Sequence, residues 1–231
     1  VQLFQPQKGY RAGLDAALLG AATGLSPGER ALEAGCGAGA ALLQAAWRAP
    51  GAELVGLERD EAAVSLAIRN ITANGLQDRV TAHQADIRTP FSKLDLKPFD
   101  LAFANPPFFD DPASLRAPSP EKSGAWMADG GLEVWCRFLS KAVREGGRIV
   151  MIHRADRLAD ILSLLAPKAG SFRIRPIQPF ADTPAKRVLV QAIKTGKAPL
   201  VLLPPLILRE GEAHRPDAEA IFRGEASVRW D

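Results

Sequence analysis

Four short apolar runs, at residues 31–34, 53–57, 80–83 and 100–104, constrain this chain more than any other feature. Residues 40–47 and 61–73, between the first three runs, have the spacing of helices, and Asn74-Gly75 closes the second as a good C-terminal cap pair. Strands joined by helical crossovers pair in parallel, because a short hairpin cannot return the chain to the same end of the sheet. Runs that are apolar nearly throughout fill strands covered on both faces. The expectation is an α/β fold with a doubly wound, Rossmann-like, mostly parallel sheet. Residues 132–143 add a helix, 148–153 a fifth strand and 155–165 a further helix. Residues 172–177 and 187–193 are two strands with only a proline-bearing loop between them, which predicts an antiparallel pair at the sheet edge.

The first strand runs into Glu33-Ala34-Gly35-Cys36-Gly37-Ala38-Gly39 and then a helix. Glycines let backbone approach a ligand closely, and the helix start offers free N–H groups. Glu58 ends the second strand, where a carboxylate can grip ribose hydroxyls. Gly35, Gly37 and Ala40 also fit the G-x-G-x-x-A form of a dinucleotide fingerprint, so a nicotinamide dehydrogenase is one reading. Two residues favour another. Glu33 opposes a pyrophosphate but suits an amino acid's ammonium, and Asp86, after the third strand, can accept a hydrogen bond from an adenine amine. A ligand that joins amino acid, ribose and adenine is S-adenosylmethionine.

The fourth strand stops abruptly at Asn105-Pro106-Pro107-Phe108. Prolines donate nothing to a ladder, so the chain leaves the sheet in a stiff turn. That turn offers the Asn105 amide, the Pro106 carbonyl and the Phe108 ring. Together they suit a flat base with an exocyclic amine: two acceptors for the amino protons and a ring to stack on. Asn-Pro is also an ordinary turn after a buried strand.

These motifs resemble those of class I S-adenosylmethionine-dependent amino-methyltransferases. Gln5-Pro6, Gly9-Tyr10-Arg11 and Asp15-Ala16-Ala17-Leu18-Leu19 are similar to the opening of the bacterial tRNA (adenine-37-N6)-methyltransferases, and the resemblance runs over residues 4–194. It implies a seven-stranded class I methyltransferase sheet, S-adenosylmethionine as cofactor, a tRNA or other structured RNA as substrate, and no metal. It also implies a cofactor set of Tyr10, Arg11, Asp15, Glu33, Gly35, Cys36, Gly37, Gly39, Glu58, Asp86, Ile87 and Asn105. The catalytic set is Asn105, Pro106, Pro107 and Phe108. Phe108 stands where Tyr is more usual in adenine-N6 enzymes, and Asn-Pro-Pro-Phe is similar also to guanine-N2 ribosomal RNA enzymes. Glutamine methylation of a release factor uses the same loop, with a helical domain ahead of the glycine turn.

The chain is read as one methyltransferase domain: residues 1–24 as an N-terminal lid and helix, 25–194 as the catalytic core, 195–231 as an extension. The most apolar piece, residues 198–208, is interrupted by Pro204-Pro205 and is too short to span a bilayer. With Cys36 and Cys136 as the only cysteines, a cytoplasmic setting is expected. The formal net charge of +3 is uneven: residues 1–115 hold 10 Lys and Arg against 13 Asp and Glu, the remainder 19 against 13. A basic second half is compatible with an RNA surface. Lys8, Arg116, Lys122, Lys186 and Arg187 are its candidate RNA contacts, with Arg173 and Arg175 if the antiparallel pair folds toward the same rim.

Overall fold

A computed structural model describes residues 1–5, 13–108 and 131–231. In chain order, with α and β numbered separately, the elements begin with α1 (Leu14–Ala21), β1 (Arg30–Ala34), α2 (Ala40–Arg48), β2 (Glu53–Glu58) and α3 (Glu61–Ala73). Next come β3 (Val80–Gln84), β4 (Phe99–Ala104), α4 (Gly131–Ala142), β5 (Val143–Arg154) and α5 (Leu158–Leu165). The chain continues through β6 (Ala169–Gln178), β7 (Arg187–Lys194), β8 (Val201–Leu202) and β9 (Leu206–Ile207). It ends in β10 (Arg209–Glu210), β11 (Ala213–His214) and α6 (Pro216–Arg223).

Among the described residues the main sheet has the order β3-β2-β1-β4-β5-β7-β6-β8, with β9 also on β6. β1 to β5 are parallel; β7 is antiparallel to both β5 and β6. The expected α/β sheet and its antiparallel pair are therefore present. The tail extends the sheet beyond that pair: β8 and β9, two residues each, lie parallel to β6. Side chains alternate across the sheet. In β4, Leu101 and Phe103 enter a core with residues of α1, α2 and α3, while Ala102 and Ala104 enter a second core with residues of α4 and α5. Helices on both faces account for strands that are apolar throughout.

Local chemistry sets the helix ends. Asp60 caps α3, accepting from the Ala62 and Ala63 N–H groups at 2.8 and 3.3 Å. At its other end Gly75 has φ +65°, and the Leu76 N–H donates back to the Ile71 carbonyl at 3.1 Å. Arg173 and Arg175 of β6 are tied to the tail. Arg173 donates to the Trp230 carbonyl, and Arg175 to the carbonyls of Pro204, at 2.9 Å, and Asp231, at 3.3 Å. The tail then binds α1: the Trp230 indole N–H donates to the Ala22 carbonyl and the Val228 N–H to the Ala21 carbonyl. No helix among the described residues is long and apolar enough to cross a membrane.

α1 and α2 touch at Gly20, where an added Cβ would lie 2.8 Å from the Ala41 carbonyl oxygen and 2.6 Å from the Gln44 Cβ. In an open helix Gly→Ala stabilises by up to about 1 kcal/mol. Here backbone stands in the way, so Gly20→Ala should instead cost about 1–3 kcal/mol by chemical denaturation, the range for overpacking. A more stable variant would show that the two helices do not approach so closely.

Candidate active site

Parallel register brings the key strand ends to one edge of the sheet. Ala34 of β1 is level with Leu57 of β2 and with Ala104 of β4, and Glu58 of β2 is level with Gln84 of β3. The glycine turn, Glu58, Asp86 and Asn105 therefore all leave the sheet on the same side. Strand order reverses between β1 and β4, and a crevice outside the carboxyl ends at such a point is where open α/β sheets bind ligands.

The glycine turn needs its glycines. Gly35, Gly37 and Gly39 have φ of +67°, +52° and +85°, a region that side chains with a Cβ enter at a cost. A Cβ on Gly35 would lie 2.4 Å from the Trp135 ring of α4, whereas one on Gly37 would meet nothing within 4 Å. Gly35 is closed off by protein and Gly37 borders open space. Glu58 holds the turn from β2. Its carboxylate accepts from the Gly37 N–H at 3.0 Å, the Arg59 N–H at 2.8 Å and the Asp60 N–H at 3.0 Å. The Cys36 N–H donates to the Leu57 carbonyl at 3.0 Å; its thiol is buried and pushed well above its usual pKa by that burial, with Glu33 and Glu58 adding to it. Such a thiol is a poor nucleophile.

Glu33 is 3 % exposed, and burial raises its carboxyl well above the usual range. The Leu42 N–H pulls the other way and the Glu58 charge adds to the rise. Its Oε2 is buried with no hydrogen-bond partner. A buried acceptor left open costs free energy unless a donor meets it. That orphan oxygen, on the strand that runs into the glycine turn, fits the ammonium end of the cofactor, so S-adenosylmethionine passes the test that these residues set.

Asp86 follows β3, and its carboxylate is held below the usual carboxylate range, chiefly by the Arg88 side chain. Arg88 donates from Nε at 2.8 Å and from its backbone N–H at 2.9 Å. Sequence reasoning missed Arg88, although a basic residue two positions after the aspartate was a readable signal. Ile87 packs half-buried against the core shared with α4.

The loop after β4 carries Asn105, half-buried, then buried Pro106, then Pro107 and Phe108. Phe108 has two neighbours from distant chain. The His153 ring, 2 % exposed at the end of β5, meets it edge-on at 4.9 Å and 87°. The Arg187 guanidinium, from the first residue of β7, lies over its face at 4.6 Å. Arg187 Nε is 3.0 Å from the Asp15 carboxylate of α1. Asp15, placed by resemblance in the cofactor set, pairs with Arg187, and Arg187, a candidate RNA contact, sits at the Asn-Pro-Pro-Phe loop. Lys186 beside it is exposed. No local signal could have revealed His153 or Trp135. Lys8, Tyr10, Arg11, Arg116 and Lys122 lie outside the described residues.

The Glu33 geometry has a pH consequence. Burial favours its protonated form in the free protein, and an ammonium partner favours the carboxylate. Ligand binding below the raised pKa should therefore release a proton from Glu33, and affinity should increase with pH until that pKa is passed. Calorimetry of S-adenosylhomocysteine in buffers of different ionisation enthalpy should detect the release, and Glu33→Gln should abolish it. Identical proton release in the variant would assign it to another group. By the same reasoning Glu58→Ala should weaken this binding roughly tenfold to a hundredfold, because it removes a charged acceptor.

Comparisons with known proteins agree with this architecture. The "Methyltransferase domain" family matches residues 25–167. The tRNA1(Val) (adenine(37)-N6)-methyltransferase of Porphyromonas gingivalis is 32% identical over 187 residues, covering 78% of this chain and 72% of that protein. The ribosomal protein uL3 glutamine methyltransferase of Bradyrhizobium diazoefficiens is 32% identical over 140 residues, 57% of this chain and 43% of that one. Among solved structures, a predicted O-methyltransferase from Agrobacterium tumefaciens superposes with a TM-score of 0.77 at 27% identity, covering 93% of this chain and 98% of its own. The dehydrogenase reading of the glycine turn therefore lapses: the chain belongs to the class I S-adenosylmethionine-dependent methyltransferases and, within them, to the family of the bacterial tRNA (adenine-37-N6)-methyltransferases.

Proposed function

We propose that this enzyme methylates the exocyclic N6 of an adenine in tRNA, close to the anticodon, as one catalytic domain with residues 195–231 as an extension. The observation that carries the reading is the Asn105-Pro106-Pro107-Phe108 loop at the end of β4, next to the glycine turn of β1 in the same crevice. The activity for which the Porphyromonas gingivalis relative is named supports adenine in tRNA. The glutamine-methylating relative shares less of its length with this chain, 43% against 72%.

When bound, S-adenosylmethionine supplies a methyl group already activated on a sulfonium. Glu33 receives the ammonium, Glu58 the ribose hydroxyls and Asp86 the adenine amine, while the N–H groups of the glycine turn line the approach. An exocyclic adenine amine is a poor nucleophile because its lone pair is delocalised into the ring. The Asn105 side-chain oxygen and the Pro106 carbonyl accept hydrogen bonds from its two N–H groups and favour a more tetrahedral nitrogen, which frees the pair for attack; the one proton the nitrogen loses on methylation passes to solvent. Pro106 and Pro107 hold those acceptors in place at little entropic cost. Phe108 receives the face of a base that has left its stack. Positioning does most of the catalysis, so no strongly shifted base is called for.

Transfer of labelled methyl to total tRNA, followed by nucleoside analysis, tests the reading. N6-methyladenosine is the expected product; N2-methylguanosine would reassign the base, and label found only on protein would reject RNA as substrate. Asn105→Ala should lower turnover by roughly two orders of magnitude or more, the scale for losing a transition-state hydrogen bond, while affinity for S-adenosylhomocysteine stays within a factor of about two. Near-normal turnover in that folded variant would remove the amide from the mechanism.

A further inference from the structure

We propose that Arg187 is a positioning residue for the target base, acting through Phe108. The inference rests on Phe108 being the platform for that base and goes beyond it in naming what holds the platform. Pro106 and Pro107 restrict the backbone that leads to Phe108, but they leave its side-chain torsions free. Two groups from distant strands restrict them. The buried His153 ring of β5 meets Phe108 edge-on, and the Arg187 guanidinium of β7 lies on its face at 4.6 Å. Arg187 is itself fixed by Asp15 of α1, Nε to Oδ2 at 3.0 Å, and donates to the Lys186 carbonyl at 3.1 Å.

The plain alternative is an ion pair that ties α1 to β7 and touches Phe108 in passing. Geometry weighs against it. A tie to Asp15 needs only a positive charge within reach, and a lysine ammonium would provide it. A delocalised, weakly hydrated guanidinium over an aromatic face, here at 4.6 Å, is a contact that the compact, strongly hydrated ammonium of lysine reproduces poorly. Both partners are also largely shielded: the side chains of Arg187 and Asp15 are 32% and 21% exposed. Shielding strengthens the contact with the ring, and the neighbouring carboxylate keeps the site near neutral where an amine is about to gain positive character. A platform already held in one rotamer loses less freedom when the base arrives.

Turnover at saturating tRNA, the KM for tRNA and affinity for S-adenosylhomocysteine would be measured for Arg187→Ala, Arg187→Lys, Phe108→Ala and the Arg187→Ala/Phe108→Ala pair. Arg187→Ala should lower turnover roughly five- to fiftyfold, between the loss of one cation–ring contact and that of an ångström-scale misplacement. Cofactor affinity should be unchanged. Arg187→Lys should remain as slow as the alanine variant although its charge can still meet Asp15. In the Phe108→Ala background the arginine change should cost nothing further. Full recovery with lysine, or the same loss with and without Phe108, would overturn the proposal and leave an ion pair that only ties two elements. If Arg187→Ala does not fold, the lysine variant alone decides between the two. A methylated nucleoside other than N6-methyladenosine would correct the proposed substrate and leave the cycle readable; methyl transfer to a protein amide in place of RNA would overturn both.

Discussion

Parallel pairing of β1 with β4 is the constraint on which the site depends. It puts the start of the glycine turn and the start of the Asn-Pro-Pro-Phe loop side by side, Ala34 against Ala104. A one-residue slip would exchange the faces of Leu101 and Ala102, which belong to different cores, so burial locks the register. The same burial that stabilises the sheet therefore sets the distance between the two halves of the site. β2 and β3 add Glu58 and Asp86 at the same edge by the same register logic.

The electrostatics of that edge are arranged for a cation-bearing ligand. Glu33 is buried with an open oxygen, Glu58 lies near enough to raise its pKa, and together they form a negative site beneath the glycine turn. Keeping the two groups so close favours a proton on Glu33 in the free protein and favours any ligand that brings a positive charge in its place. At the Asn105 loop charge is nearly balanced, because Arg187 faces Asp15; at the adenine end of the cofactor site Arg88 likewise pairs with Asp86. The negative pole thus lies at the glycine turn, where the ammonium and sulfonium belong, and the balanced region lies at the loop that receives a neutral base.

What the sequence disclosed is what local chemistry decides. Strand runs, the Asn74-Gly75 cap and the glycine turn depend on residues within a few positions of one another, and their bounds shifted by a residue or two at most in β1, α2 and β2. The antiparallel pair was equally legible, because a short proline-bearing loop permits nothing else. Side-chain destinations across the fold were not. Asp15 and Arg187 are 172 residues apart, and no spacing rule connects them. Arg173 and Arg175 read as surface charges, yet their partners are main-chain carbonyls of the tail. The tail itself hid because its strands are two residues long and carry no period to count. The same holds among the expected cofactor residues: Glu33, Glu58 and Asp86 lie in or just after strands that the sequence marks, while the partner of Asp15 is one that only the fold supplies.

The central claim is that one crevice holds the cofactor at β1 and β2 and the target amine at β4. Its most direct test is a bisubstrate ligand in which the N6 of adenosine is tethered to the sulfur position of S-adenosylhomocysteine. Calorimetry on the parent protein should show this ligand binding more tightly than S-adenosylhomocysteine alone, and Asn105→Ala should remove that gain while leaving binding of S-adenosylhomocysteine intact. Equal affinity of the two ligands for the parent protein, or an undiminished gain in the variant, would contradict a shared site built on Asn105.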